Sequence, residues 1–448
     1  MIQGVFRHMN CWASLSQDEL FFLSYFPNHL GTFETAGGTT LTDSAAAFPT
    51  TGVGLVGWTV LITGGTSVGE WRVITGNTAT TLTVAALTTS SSSTYEIFPD
   101  LNVQTTVKKY TAAAKMDYSP GNGQCVRWQP SAANLYGAAH GRWFYIEAAP
   151  AADDGITIFG LGQGASSSGM IGIDSTRKAT IVTSGALVVA TGNVALTLGS
   201  WYWGAIQGSV HTSGFAKFFV RIYNTSGTLV DEFDSGGVVS CLTPISTFTV
   251  GVGTTGCGNG LIAYVDGGIS VSGAGIWPPI CPDFYASGGA TGVGATSQWT
   301  SSAGGNKWLD VDDIPHNSDT DYVKSTSTGQ TQLFTFPASG LGAVNIHAVG
   351  IGHHLRAVSA SIQTVQGMTL SSSYVATAVL GTTYGWYDVQ KSSTPAGAEW
   401  TESDLDNVVS RVATFGAVAT ERRCSNVVKF ACYGGTYPSG ARRRGVVV

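Results

Sequence analysis

Charge is scarce in this chain. Lys, Arg, Asp and Glu make up 11% of its 448 residues, where about 25% is usual. Such poverty of charge can mark low-complexity disorder. Here 43% of residues are hydrophobic, with 12 Trp, 16 Tyr and 19 Phe, which is ample apolar surface for folded cores and excludes it. The net charge of −6 carries no global basic field for nucleic acid. The seven cysteines (Cys11, Cys125, Cys241, Cys257, Cys281, Cys424 and Cys432) contain no C-x-x-C pair, so a zinc site is excluded. Their odd number and irregular spacing read as buried free thiols in a reducing compartment. The N-terminus, MIQGVFRHMNCW, has no apolar stretch of secretory length. The uncharged stretch 179–216 is broken by Asn193 and Gln207 into strand-length pieces, so no membrane insertion is expected. There is no P-loop, no G-x-G-x-x-G between a strand and a helix, and no ladder of repeats, and no Ser–His–Asp set is assigned to His347, His353 or His354.

Thr, Val, Gly and aromatics abound, which predicts an all-β protein. The clearest strand is GFAKFFVRIY. Ala216, Phe218, Val220 and Ile222 fall on one face and Lys217, Phe219, Arg221 and Tyr223 on the other. The turn residues 224–227 then lead to TLVDEF, which makes a hairpin. Residues 264–271 read as a strand, a Gly turn and a second strand. Pro278, Pro279 and Pro282 cannot continue a central strand and mark a boundary. The expected organisation has five parts. Residues 1–33 form a docking segment with a short helix around LFFLSYF, where Phe21 and Phe22 would pack on the next domain or on a partner subunit. Residues 34–100 form a small β-domain, and residues 101–282 a sandwich of two sheets. Residues 283–421 form a C-terminal β-sandwich with a helix at 401–415, opened by a Thr401–Asp404 cap and carrying a Leu405, Val408, Val409, Val412 stripe. Residues 422–448, with Arg422, Arg423, Lys429, Arg442, Arg443 and Arg444, form a basic tail that is either solvated or docks through Arg442, Arg443 and Arg444 on an acidic neighbour.

Three stretches resemble known modules. Residues 141–277, with GRWFYIEAAP, GSWYWGAIQGSV and LIAYVDGGISVSGAGIW, resemble the concanavalin A-like, laminin-G-type jelly roll. Gly69 to Ile74 followed by Thr81 to Val84 resembles a small β-module of tailed-phage structural proteins. The acidic run Asp310, Asp312, Asp313, Asp319 and Asp321, then LSSSY, then Trp400, Thr401 and Leu405, resembles a C-terminal domain frequent in phage virion proteins. The resemblance implies a non-enzymatic virion component of head or tail, assembled in the host cytoplasm. Its partners would be other virion proteins and further copies of itself. The alternative is a tail adhesion protein that recognises host surface carbohydrate.

The residues suggest three kinds of site. Trp143, Trp201, Trp203 and Tyr223 could present rings to a pyranose face, although aromatics in a sandwich also serve as core or interface. Asp153, Asp154, Asp174 and Asp266 are rim acids by chain position, and the hard oxygen ligands they offer would suit Ca²⁺. No other cofactor is implied. The Asp310–Asp321 run departs from the calcium-loop pattern and reads first as turn chemistry. A glycosidase needs two carboxyls flanking the scissile bond, about 5–5.5 Å apart for retention. With nine Glu in all, Glu147 stands alone, and Glu232 and Asp234 lack a third acid, so no catalytic residue is assigned.

Overall fold

The computed structural model describes residues 5–10 and 29–435, apart from 35–37, 49, 51–54, 57, 67–70, 99–101, 105–108, 110–112, 118–124, 129–136, 153–155, 164–165, 185, 244, 246, 252–259, 273–276, 288, 313–320, 359–361, 371, 383 and 416–419. Phe21, Phe22, the helix expected around them and Arg442–Arg444 lie outside these residues. The described chain is all-β, with one short helix. It divides into two compact units, residues 23–280 and residues 281–448 with 1–22.

The first unit holds two cores. The smaller is a six-stranded antiparallel sheet in the order His29–Thr32, Thr94–Phe98, Thr59–Gly64, Trp71–Asn77, Thr81–Leu87, Gly38–Thr42. Its alternate residues Val60, Ile62, Leu82, Val84, Tyr95 and Ile97 form the core with Phe33 and Trp58. Residues 29–33 therefore belong to this sheet and not to a separate opening segment.

The larger core lies between the two sheets of the jelly roll. One sheet runs Leu229–Asp234, Phe215–Asn224, Trp201–Thr212, Gly137–Ala148, Ile262–Ser272, Ala113–Asp117, Asn102–Gln104. The other runs Cys125–Trp128, Thr247–Gly251, Thr157–Gln163, Ser166–Ile173, Lys178–Thr183, Leu187–Ala195. The strand at 215–224 alternates as its sequence predicts. Ala216, Phe218, Val220 and Ile222 are fully buried against Phe159, Leu161, Ile171, Phe248 and Val250. The opposite face carries cross-strand ion pairs, Lys217 to Asp234 at 2.9 Å and Arg221 to Glu232 at 2.8 Å. One expectation fails here. Residues 262–272 are a single strand and not a hairpin. Arg142 pairs with Gly268 and Trp143 with Asp266, so Gly267 is the extra residue of a β-bulge. A side chain at Gly268 would lie 2.7 Å from the Arg142 guanidinium carbon, which explains why this position is a glycine.

The second unit is a sandwich. One sheet runs Thr300–Ser301, Val323–Ser325, Arg422–Tyr433, Ile346–Ala357, Gly385–Lys391, and Asp283–Ala286 also pairs with Arg422–Tyr433. The five-stranded sheet opposite runs Gly292–Ser297, Thr331–Thr335, Val409–Thr414, Ile362–Thr369, Ser373–Leu380. Trp299, Val349, Ile351, Leu405, Val412 and Val427 lie in the core between them.

Two expectations are corrected in this unit. The helix covers Glu402–Asn407 only, with the Thr401–Asp404 capping box in place. Residues 409–414 continue as a strand, in which Ser410, Val412 and Thr414 are buried. The valines that suit a helical stripe also fit a period of two, and β-branched residues favour the strand. The basic tail likewise begins later than position 422, because Arg422–Tyr433 is an interior strand. Its buried cations are satisfied by backbone carbonyls. Arg422 Nη2 donates to Phe415 O at 2.9 Å. Lys429 Nζ donates to Leu405 O at 2.9 Å and to Pro337 O at 3.2 Å.

His353 points into the same core, and its Nε2 lies 2.8 Å from Ser410 Oγ on the facing sheet. Burial pulls its pKa down from 6.5 to about 4. As pH falls, the unfolded chain takes up this proton first, so the contribution is present above pH 6.5 and lost by about pH 4. Urea unfolding of this unit is expected to weaken over that window by at most about 3 kcal/mol from this group. In His353→Gln that part of the slope should disappear. An unchanged slope would show that His353 is not buried neutral.

Candidate functional site: the outer aromatic face of the jelly roll

The face of the first jelly-roll sheet turned away from its partner carries two aromatic rungs. The first runs across three adjacent strands, because Tyr145 sits opposite both Trp201 and Tyr264. Ring centroids are 5.5 Å apart for Tyr145–Trp201 and 5.6 Å for Tyr145–Tyr264. Two residues along, Trp143 sits opposite Trp203 and Asp266, and Trp203 opposite Tyr223. The Trp143 and Trp203 rings meet edge to face at 5.6 Å.

The rungs differ in access. Trp143, Trp203 and Tyr223 are 1%, 0% and 6% exposed, so the expectation that they offer stacking faces to a sugar is overturned. The chain itself occupies that part of the sheet. Lys109 Nζ lies 4.5 Å over the Trp143 ring. A side chain at Gly141 would meet both Trp203 and Pro278, at 2.5 and 2.8 Å, so the buried exit prolines press on the same place. Arg221 stacks 4.5 Å over Trp277 and pins that segment. The proline run that marked a domain boundary in the sequence thus also covers the rings.

Trp201 remains half-exposed, together with Tyr145, which sequence reasoning passed over. Tyr145 could have been found by its place two residues from Trp143 on an alternating strand. At the end of the rung, the exposed Glu147 carboxylate accepts a hydrogen bond from Tyr264 Oη at 2.5 Å. The open site is therefore the ring pair Tyr145 and Trp201 with one carboxylate nearby, Tyr264 itself being buried. Glu147 meets a phenol there and not a second acid. Glu232 and Asp234 are held in the ion pairs to Arg221 and Lys217, so among the described residues no pair of free carboxyls flanks the rings.

The rim acids are otherwise employed. Asp174 Oδ1 accepts from Lys178 N and Thr176 Oγ1, both at 2.8 Å, which closes a hairpin turn. Asp266 is fully buried and accepts from Gly267 N at 2.7 Å and Lys109 N at 3.1 Å. Asp153 and Asp154 lie outside the described residues. Among the described residues, no three His, Cys, Asp or Glu side chains group as metal ligands would. The calcium assignment of Asp174 and Asp266 is therefore withdrawn on turn and backbone chemistry. In the acidic run of the second unit, Asp310 is buried and accepts from Ser302 N at 3.2 Å, and burial raises its pKa. Asp313 and Asp319 are outside the described residues.

His347, His353 and His354 stand on one strand, but each ring serves the sheet. His347 Nε2 meets Gly434 O, and His354 Nδ1 lies 2.7 Å from Ser425 Oγ while its ring stacks on Tyr384. The His353–Ser410 pair has no exposed surface for a substrate to reach.

No protein family and no curated protein matches the chain in sequence. Among solved structures, it is similar to the PL-14 alginate lyase of Aplysia kurodai at 10% identity and a TM-score of 0.30, over 38% of this chain and 87% of that one. It is similar to lectin II of Ulex europaeus at 12% identity and a TM-score of 0.24, over 37% and 88%. It is also similar to the binding domain of botulinum neurotoxin serotype D at 9% identity and a TM-score of 0.26, over 89% and 96%.

Asp266 and Arg142 are both fully buried, and the Asp266 charge counters the cost that burial imposes on the Arg142 guanidinium. Asp266→Ala is expected to destabilise the jelly roll by about 3–5 kcal/mol in urea unfolding, because it strands a buried cation. A loss under about 1 kcal/mol would mean that Arg142 is compensated from elsewhere.

Proposed function

We propose that the protein is a non-enzymatic glycan-binding protein whose jelly roll engages carbohydrate through Tyr145 and Trp201, with Tyr264 buried beside them. The observation that carries this reading is the half-exposed pair Trp201 and Tyr145, set in register on a rigid sheet. A flat ring offers a pyranose its apolar face without ordering a flexible side chain, and a row of rings in register suits successive sugars. Glu147 adds an acceptor for sugar hydroxyls at the end of the row. Its negative charge disfavours sialylated and uronic glycans and favours neutral or amine-bearing ones.

The setting we infer is the surface of a tailed-phage particle. The small β-module at 34–100 and the C-terminal stretch 310–405 support this through their resemblance to virion proteins. In that setting the jelly roll would be displayed for adhesion, and the remaining modules would hold the protein to other virion subunits. A purely structural role on head or tail is the second reading, favoured by the burial of Trp143, Trp203 and Tyr223 beneath the chain's own exit segment.

A glycan array with the full chain tests the first reading. Binding is expected to neutral or amine-bearing glycans, weakened on the order of tenfold or more by Trp201→Ala. Glu147→Gln should relax the discrimination against anionic glycans. No binding to any glycan, or binding indifferent to Trp201, would contradict it. Immunogold labelling of intact particles tests the setting. Label at the tail end is expected for adhesion, label spread over the head would favour the structural role, and no label on particles would remove the virion reading.

A further inference from the structure

Every open sheet ends in edge strands, whose unpaired amides and carbonyls invite another chain. Proteins shield them by shortness, charge or irregularity. Edges among the described residues use these devices, with one exception. Leu229–Asp234 carries Asp231, Glu232 and Asp234. Leu187–Ala195 pairs irregularly with its neighbour, and its Asn193 and Val194 amides donate to Asp231 Oδ2 at 2.9 and 3.1 Å. Gly385–Lys391 carries Asp388 and Lys391. Gly292–Ser297 and Gly38–Thr42 both pair with register shifts. Val5–Asn10 includes a charged residue, Arg7, and the remaining edges are two to four residues long.

The exception is Ser373–Leu380, at the end of the five-stranded sheet of the second unit. It is eight residues long, has no charge, proline or glycine, and pairs in unbroken register with Ile362–Thr369. Val375 and Val379 are 53% and 57% exposed and share a face with exposed Thr377. The sequence is also symmetric about Thr377. Val375-Ala376-Thr377-Ala378-Val379 reads the same in both directions, and Tyr374 and Leu380 flank it with one large apolar residue at each end.

We propose that this edge is a homotypic interface, in which Ser373–Leu380 pairs antiparallel with the same strand of a second copy about a two-fold axis at Thr377. A two-fold contact must be self-complementary, so that residue i meets j and j meets i. The palindrome meets this condition. Val375 falls opposite the partner's Val379, Ala376 opposite the partner's Ala378, and Tyr374 opposite the partner's Leu380. Opposed β-branched and aromatic–aliphatic pairs stabilise antiparallel sheets. The two five-stranded sheets then continue into each other, and the exposed valines cover one another. One group on this edge is engaged already: Tyr387 Oη donates to Val379 O at 3.3 Å, which is long for such a bond. A carbonyl has a second lone pair for the incoming amide.

Light scattering and hydrogen exchange on the full chain test this. Wild type is expected at the mass of two chains of 46.5 kDa each, or at a multiple that contains the pair. Val375→Lys with Val379→Lys sets lysines against lysines across the axis and should lower the wild-type mass, to a single 46.5 kDa chain where wild type is the pair, with an unchanged circular dichroism spectrum. In wild type, amides of 373–380 should lose protection on dilution while those of 362–369 keep theirs. Thr377→Cys should cross-link to itself under mild oxidation, above the background of the native cysteines. A wild type monomeric at every concentration, or an assembly whose mass the double lysine variant leaves intact, overturns the proposal. If that variant does not fold, the exchange of wild type decides, and protection at 373–380 that is independent of dilution overturns it.

Discussion

The register of Gly137–Ala148 between its two neighbours is the constraint on which the jelly roll and its site both depend. Side chains alternate across a strand, so a slip of one residue would exchange the two faces. In the observed register, Phe144 and Ile146 enter the core with Tyr202 and Val265. The same register puts Tyr145 between Trp201 and Tyr264 on the other face. The bulge at Gly267 keeps both faces correct past Arg142, which lies opposite Gly204 on one side and Gly268 on the other. The core, the buried Arg142 and the aromatic row follow from a single alignment.

That alignment also decides which rings are open. Sandwich sheets have an outer face, and its aromatics must be covered or left to bind. Here the exit segment Trp277–Pro279 and Lys109 cover one rung and leave the next half-exposed. The covered rung stiffens the sheet on which the open rung stands. A binding surface made of rings on a strand ladder loses little freedom when it meets a ligand, which is the advantage of a preformed site.

Much of this was legible in the sequence where a period was long and unmixed. The alternation of 215–224 gave the strand, its buried face and the ion-paired face. Where two periods coincide, sequence reasoning failed. Val408, Val409 and Val412 satisfy a helical stripe, yet Val408 caps a helix of six residues and Val409 and Val412 belong to the strand that follows. Arg422 and Lys429 read as a solvated tail because a lone cation gives no sign of the carbonyls that will receive it. The site was legible in kind but not in detail. Tryptophans at alternating positions announced an aromatic face, but only the fold shows that Pro278 closes over Trp203 and spares Trp201.

The central claim is that ligand reaches the Trp201 rung and not the Trp143–Trp203 rung. Fluorine NMR of the chain with fluorinated tryptophan, titrated with a neutral or amine-bearing oligosaccharide, reads each indole separately. The Trp201 resonance should shift with saturation while those of Trp143 and Trp203 stay in place. Shifts at Trp143 or Trp203 with Trp201 unmoved would contradict the account.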